Sequence, residues 1–225
     1  MMLDLIINYL ANLPHYFITS LIVMTGIATF SIIIGRKISR LDVKAKPSKL
    51  ITTVMLAVGG FNGFVKNYVG KHWGHVAPYA LTMAIYVFIS NITGLVAVDS
   101  PTQFSAITFS MSLTAFFVVQ STGLISQRWR HFLGVFQPLA PMAPLNIVSE
   151  FVPIVSMALR LFGNIASGAL LLGLLYNLLG WLSIVVTPAF HLVFDLGFGL
   201  IQTLVIVLLT IIFASMKVSE ADFEK

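Results

Sequence analysis

Three ionisable residues, Glu150, Arg160 and Asp195, stand inside long apolar blocks of the chain. A charged side chain at mid-bilayer costs from about 2.5 to more than 10 kcal/mol, so such residues are functional-site hypotheses by default. The competing reading is a buried pair that holds two helices together. Glu150 lies ten residues before Arg160. On one helix that separation is about 15 Å of rise and about 80° of rotation, so the two do not pair directly. Asp195 falls in the following apolar block. Three charges at three depths fit stations on an ion path better than one salt bridge.

Their neighbours extend the pattern. Ser156, Arg160, Asn164 and Ser167 follow at three- and four-residue steps and share one helical face. Gly163 and Gly168 lie beside them, and small residues let another helix approach closely. His191, Asp195 and Gln202 stand at i, i+4 and i+11, within about 40° of one another around a helix. As interhelical glue these groups would bond across helices; aligned with an aspartate, they read as the wall of a wet channel. His75 is expected at the membrane interface, and His72 and His131 in solvated loops.

The elements that must position these groups follow from composition. Hydrophobic residues make up 58% of the 225-residue chain and charged residues 9%, against about 25% charged in a soluble domain. Mean hydropathy is +0.96. Too little polar surface exists to cover a water-soluble globule. Cysteine is absent, so no disulfide or thiolate metal site exists. The N-terminus has no basic leader and carries Asp4, unlike a cleaved signal peptide.

The expected fold is an all-α integral membrane protein forming a single membrane domain over residues 1–225. Five apolar blocks near 16–35, 76–98, 106–126, 145–179 and 182–216 read as transmembrane helices. A glycine-broken stretch at 49–70 reads as a helix on the cytoplasmic surface, with a short extra span as the alternative. Residues 1–75 thus hold the first span and the surface helix, 76–126 a helical hairpin, and 145–216 a second, longer hairpin. Each arm of that second hairpin has about 35 residues, or about 52 Å as a helix, against a hydrocarbon core of about 30 Å. These two helices must slant steeply or run partly along the interface.

With the N-terminus outside, every Lys and Arg except Arg160 falls on the inside, and Asp4 and Asp99 on the outside. That split satisfies the positive-inside rule. The net charge of +5 is therefore a topology signal and not a nucleic-acid footprint, with anionic headgroups a contact for the surface helix. No repeat relates the two halves, which disfavours an inverted-repeat transporter. A passive anchor is the other rival, and it predicts that the buried polar groups pair off.

The string Met157-Ala-Leu-Arg-Leu-Phe-Gly-Asn-Ile-Ala-Ser-Gly168 resembles the signature of subunit a of F-type ATP synthases. Pro144-Leu-Asn-Ile-Val-Ser-Glu150 resembles that family's lead-in, and Gln202 to Thr210 its last helix. Ser90-Asn-Ile-Thr-Gly-Leu95 and the Pro-Thr turn resemble its earlier hairpin. The likeness covers roughly 76–216 and implies the bacterial type of a non-catalytic, ion-translocating stator subunit with no cofactor. It implies that Arg160 faces a ring of subunit c carboxylates, flanked by Asn164, Gln202 and Ser156. Glu150 then belongs to the cytoplasmic half-channel, and Asp195, His191 and Tyr176 to the outer one. Gly163, Ser167 and Gly168 serve close packing. The pattern departs at Ala169, where many bacterial members carry Glu. The implied partners are the subunit c ring, peripheral-stalk subunit b and the bilayer, with no nucleic acid. The transported ion is expected to be a proton ahead of sodium, in a bacterial plasma membrane ahead of a mitochondrial inner one.

Overall fold

The computed structural model of the chain describes residues 14–41, 47–93, 101–128, 143–191, 196–197, 199–219 and 223, and of some residues within its helices the backbone only. Every regular element among them is helical. The order is α1 (His15–Ser39), α2 (Lys49–Val69), α3 (Trp73–Thr93), α4 (Ser105–Gln127), α5 (Ala143–Leu179), α6 (Ser183–His191) and α7 (Gly199–Met216). Short 3-10 turns at Gly70–His72, Pro101–Gln103 and Gly180–Leu182 join or precede them. Four stretches are long and apolar enough to cross a membrane: Tyr16–Ser39, Lys49–Thr93, Ser105–Gln127 and Gly199–Met216.

Side-chain bonds fix how the helices run. At one end of the bundle Ser20 Oγ meets Tyr86 OH at 2.7 Å, linking α1 to α3. Tyr16 stacks on Phe104 there, with ring centroids 3.7 Å apart. Asn91 near the end of α3 reaches both the start of α7 and the turn before α4. At the other end Gln127 Nε2 donates to the Lys217 carbonyl, and the Ser219 backbone N–H donates to Ser126 Oγ, both at 3.0 Å. His75 Nε2 and Ser121 Oγ, 2.7 Å apart, tie the start of α3 to the later part of α4. Thus α1, α4 and α7 run one way and α3 the other. Arg36, Lys37, Lys66, Lys71, Arg128 and Lys217 all gather toward the Gln127 end.

Two apolar clusters hold the bundle. The one toward the basic end joins Val65 and Val69 of α2, Val76, Ala77 and Ala80 of α3, Val119 of α4, and Val207, Ile211 and Ala214 of α7. The other joins Val23, Tyr86, Val87, Met111 and Ile206. Alanine at the contact points lets the backbones come close, which matters where lipid removes any hydrophobic drive between helices. The first cluster docks the C-terminal end of α2 at the basic end, while Leu50, Met55, Leu56 and Tyr68 of the same helix stay exposed. His72, expected in a solvated loop, is instead half-buried in the Gly70–His72 turn, because α2 and α3 close on it from both sides.

The long arm expected over 145–179 is one continuous helix of 37 residues, α5, about 55 Å at 1.5 Å per residue. It packs on α4, where Phe116 stacks on Phe151 at 5.4 Å, and on the Pro101–Gln103 turn. Gly180, at φ +53°, reverses the chain, and α6 returns along α5. Glycine suits that turn because a Cβ disfavours left-handed backbone. The second long arm is described as α6 and α7; residues 192–195 and 198 lie outside the described set.

Candidate functional site

Arg160 sits on α5 among exposed apolar side chains. Val148, Phe151, Val152, Val155, Ser156, Leu159 and Arg160 together line an open groove of about 600 Å³. Leu159 and Phe162 on either side of the arginine are 63% and 41% exposed. The groove follows from the sequence, since residues at i, i+3, i+4 and i+7 stack on one side of a helix. A guanidinium stays protonated and presents five fixed donors. On this face it is surrounded by hydrocarbon and turned outward, away from the bundle.

The two serines of the stripe are described as well. Ser156 is half-buried and Ser167 exposed. The Ser167 hydroxyl bonds back to the Gly163 carbonyl of its own helix. A Cβ placed on Gly163 would meet nothing within 4 Å, so the close packing expected at this glycine is not supplied by the described part of the chain. Gly168, one turn on, is buried. The side chains of Glu150, Asn164 and His191, and the whole of Asp195, lie outside the described residues. Tyr176 is exposed near the hairpin turn.

Gln202 is in different surroundings. It is only 3% exposed, on the stripe of α7 formed with Gly199, Thr203, Ile206, Thr210 and Ala214 that packs on α3 and α4. Among the described residues no hydrogen bond joins it to Arg160. At the start of the same helix the structure instead assembles a polar group that charge and periodicity did not single out. Asn91 Nδ2 donates to the Gly199 carbonyl at 3.3 Å, and Thr102 Oγ1 donates to Asn91 Oδ1 at 3.1 Å. Thr203 Oγ1 donates to the same Gly199 carbonyl at 2.8 Å. All four residues are buried. The signal available in sequence was a lone carboxamide, Asn91, inside an apolar run, which needs partners in a dry setting.

On α6, Thr187 is 1% exposed and its hydroxyl has no hydrogen-bond partner among the described residues. Ser183, Thr187 and His191 stand at successive four-residue steps, so the polar line expected from His191 onward also runs back toward the hairpin turn. Ser183, also buried, donates to the Gly180 carbonyl at 2.6 Å. No group of three or more metal-ligating side chains occurs among the described residues.

Comparison with known proteins bears on the family of the chain. The family model described as ATP synthase A chain matches residues 17–215. ATP synthase subunit a of Mycoplasmoides gallisepticum is 27% identical over 228 residues, covering 89% of this chain and 77% of that protein. The subunit a of Helicobacter acinonychis is 32% identical over 207 residues and 88% of each chain. That of Staphylococcus epidermidis is 27% identical over 218 residues and 89% of each.

Proposed function

The chain belongs to the ATP synthase A chain family, as a multi-pass, non-catalytic membrane channel subunit of F-type ATP synthase, and on that premise we propose how its residues move the ion. Arg160 faces the carboxylates of a rotor ring built from subunit c. One observation carries this: a permanent cation stands exposed on an apolar face of an overlong helix. In lipid alone that placement costs several kcal/mol. A moving acid on a neighbouring protein offsets the cost whenever it sheds its proton.

The ion path has two offset halves. Glu150 serves the cytoplasmic one; Asp195, with His191 and Tyr176, serves the outer one. Asn164, Ser156 and Gln202 flank the arginine, and Gly163, Ser167 and Gly168 let the ring approach. Because the halves do not meet, a proton bound from one side must ride the ring before it leaves on the other. Arg160 blocks the direct route, since a fixed positive charge repels a proton in low dielectric. Each charge that crosses 100 mV releases about 2.3 kcal/mol to the rotation.

Five crossings, by α1, α3, α4, α5 and the α6–α7 arm, with α2 on the cytoplasmic surface, complete the topology. The gathering of basic side chains at one end of the bundle supports it, because that is the side the positive-inside rule keeps in the cytoplasm. The N-terminus is then outside and the C-terminus inside, in a bacterial plasma membrane. Peripheral-stalk subunit b and the bilayer are the other partners.

The test is Arg160→Ala in the assembled complex. Coupled ATP synthesis and ATP-driven proton pumping are both expected to vanish while the chain still assembles. Pumping retained in that variant would remove Arg160 from the mechanism.

A further inference from the structure

We infer that Asn91 is a positioning residue for proton transfer: its carboxamide clips the first turn of α7 to α3 and to the turn before α4, and so sets the height and rotation at which α7 carries Gln202. The inference rests on the channel reading above.

Three contacts converge on one point. The Asn91 amide nitrogen reaches the Gly199 carbonyl, and the Asn91 oxygen is held by Thr102, itself fully buried. Thr203 bonds to the same carbonyl from within α7. A Cβ at position 199 would stand 2.8 Å from Asn91 Cβ and 3.0 Å from its Nδ2, so the seat is shaped for a residue without a side chain. Gln202 lies three residues further on and on the same buried stripe.

Why a polar clip is used follows from the solvent. Between helices in lipid an apolar contact has no water to exclude, so it resists sliding and rotation only weakly. A hydrogen bond is directional and fails within a few tenths of an ångström or a modest rotation. One residue of helix corresponds to about 100° and 1.5 Å. A small slip of α7 therefore moves Gln202 off the position that this buried stripe gives it in the proposed channel.

The chain has no cysteine of its own, so an engineered pair reports cleanly. Asn91→Cys with Gly199→Cys, in the assembled complex in inverted membrane vesicles, is expected to cross-link on oxidation. The preferred Cβ separation of a disulfide, about 3.5–4.5 Å, is reached when the two helices part by under about 1 Å. Proton flux per assembled complex is expected to fall about threefold in the reduced pair and in Asn91→Ala, the factor that an average interhelical hydrogen bond in a membrane represents. Oxidation should restore the flux of the pair. Thr102→Ser should keep wild-type flux and Thr102→Val fall no further than Asn91→Ala, with equal amounts of chain and ring recovered from each. No cross-link, or equal flux in Asn91→Ala and wild type, would overturn the clip. Arg160→Ala, run alongside, separates the two ideas. If it still pumps, the channel reading itself fails; if it is dead while Asn91→Ala is normal, only the clip fails.

Discussion

Replacing Gly199 with alanine tests the packing of the channel end of the bundle with a single methyl group. The new Cβ would stand 2.8 Å from Asn91 Cβ and 3.1 Å from its Cγ. The Cβ is fixed by the α3 backbone, and no side-chain rotation can remove it. To reach the 3.4 Å of ordinary contact, α7 and α3 must part by about 0.6 Å. The Asn91–Gly199 bond is already 3.3 Å long, and that opening takes it out of range. Overpacking of this kind costs about 1–3 kcal/mol and the lost bond about 0.5–1.5 kcal/mol, so Gly199→Ala should destabilise by about 1.5–4.5 kcal/mol. Asn91→Gly deletes the obstructing Cβ and is itself destabilising, through the lost bonds and the freer helix backbone. The double variant should nevertheless be less damaged than the two singles added together, with a coupling of at least about 1 kcal/mol. The assay is release of this chain from the solubilised complex in a sodium dodecyl sulfate titration, with midpoints converted to free-energy differences. Additivity within about 0.5 kcal/mol, or a neutral Gly199→Ala, would refute the close approach on which the estimate is built.

Other outcomes follow from the same reasoning. Asp195→Asn should slow proton transport while leaving assembly intact; unchanged flux in membrane vesicles would move the outer half-channel elsewhere. Tyr86→Phe removes the 2.7 Å bond to Ser20 in a buried setting, and should lower resistance to detergent by about 0.6–1.7 kcal/mol with little effect on flux; a dead enzyme would give that hydroxyl a role beyond tying α1 to α3. The purified chain reconstituted alone should show almost no proton turnover, since the moving carboxylate belongs to the ring; robust transport by the isolated chain would favour a secondary transporter.

Composition, charge placement and helical spacing were enough to read a membrane-spanning helical chain, a long helix over 145–179 and an arginine inside that apolar block. Each depends on local chemistry. Hydrocarbon tolerates only internally bonded helices, lysine and arginine mark the ends of spans, and residues three or four apart share a side. α5 keeps Arg160 outward, and Arg36, Lys37, Lys66, Lys71, Arg128 and Lys217 gather toward one end of the bundle as their order in the chain implies. What no run of residues announces is which distant groups meet. Asn91 and Gly199 are 108 positions apart, and only the packing of α3, α4 and α7 turns an ordinary carboxamide and an ordinary glycine into one seat. His72 likewise passes from an expected solvated loop to a half-buried turn because the end of α2 and the start of α3 pack against that turn. Hydrophobicity decides that a helix enters the bilayer; how far it is rotated there is decided by directional bonds and by volume, and both exist only once the helices have come together.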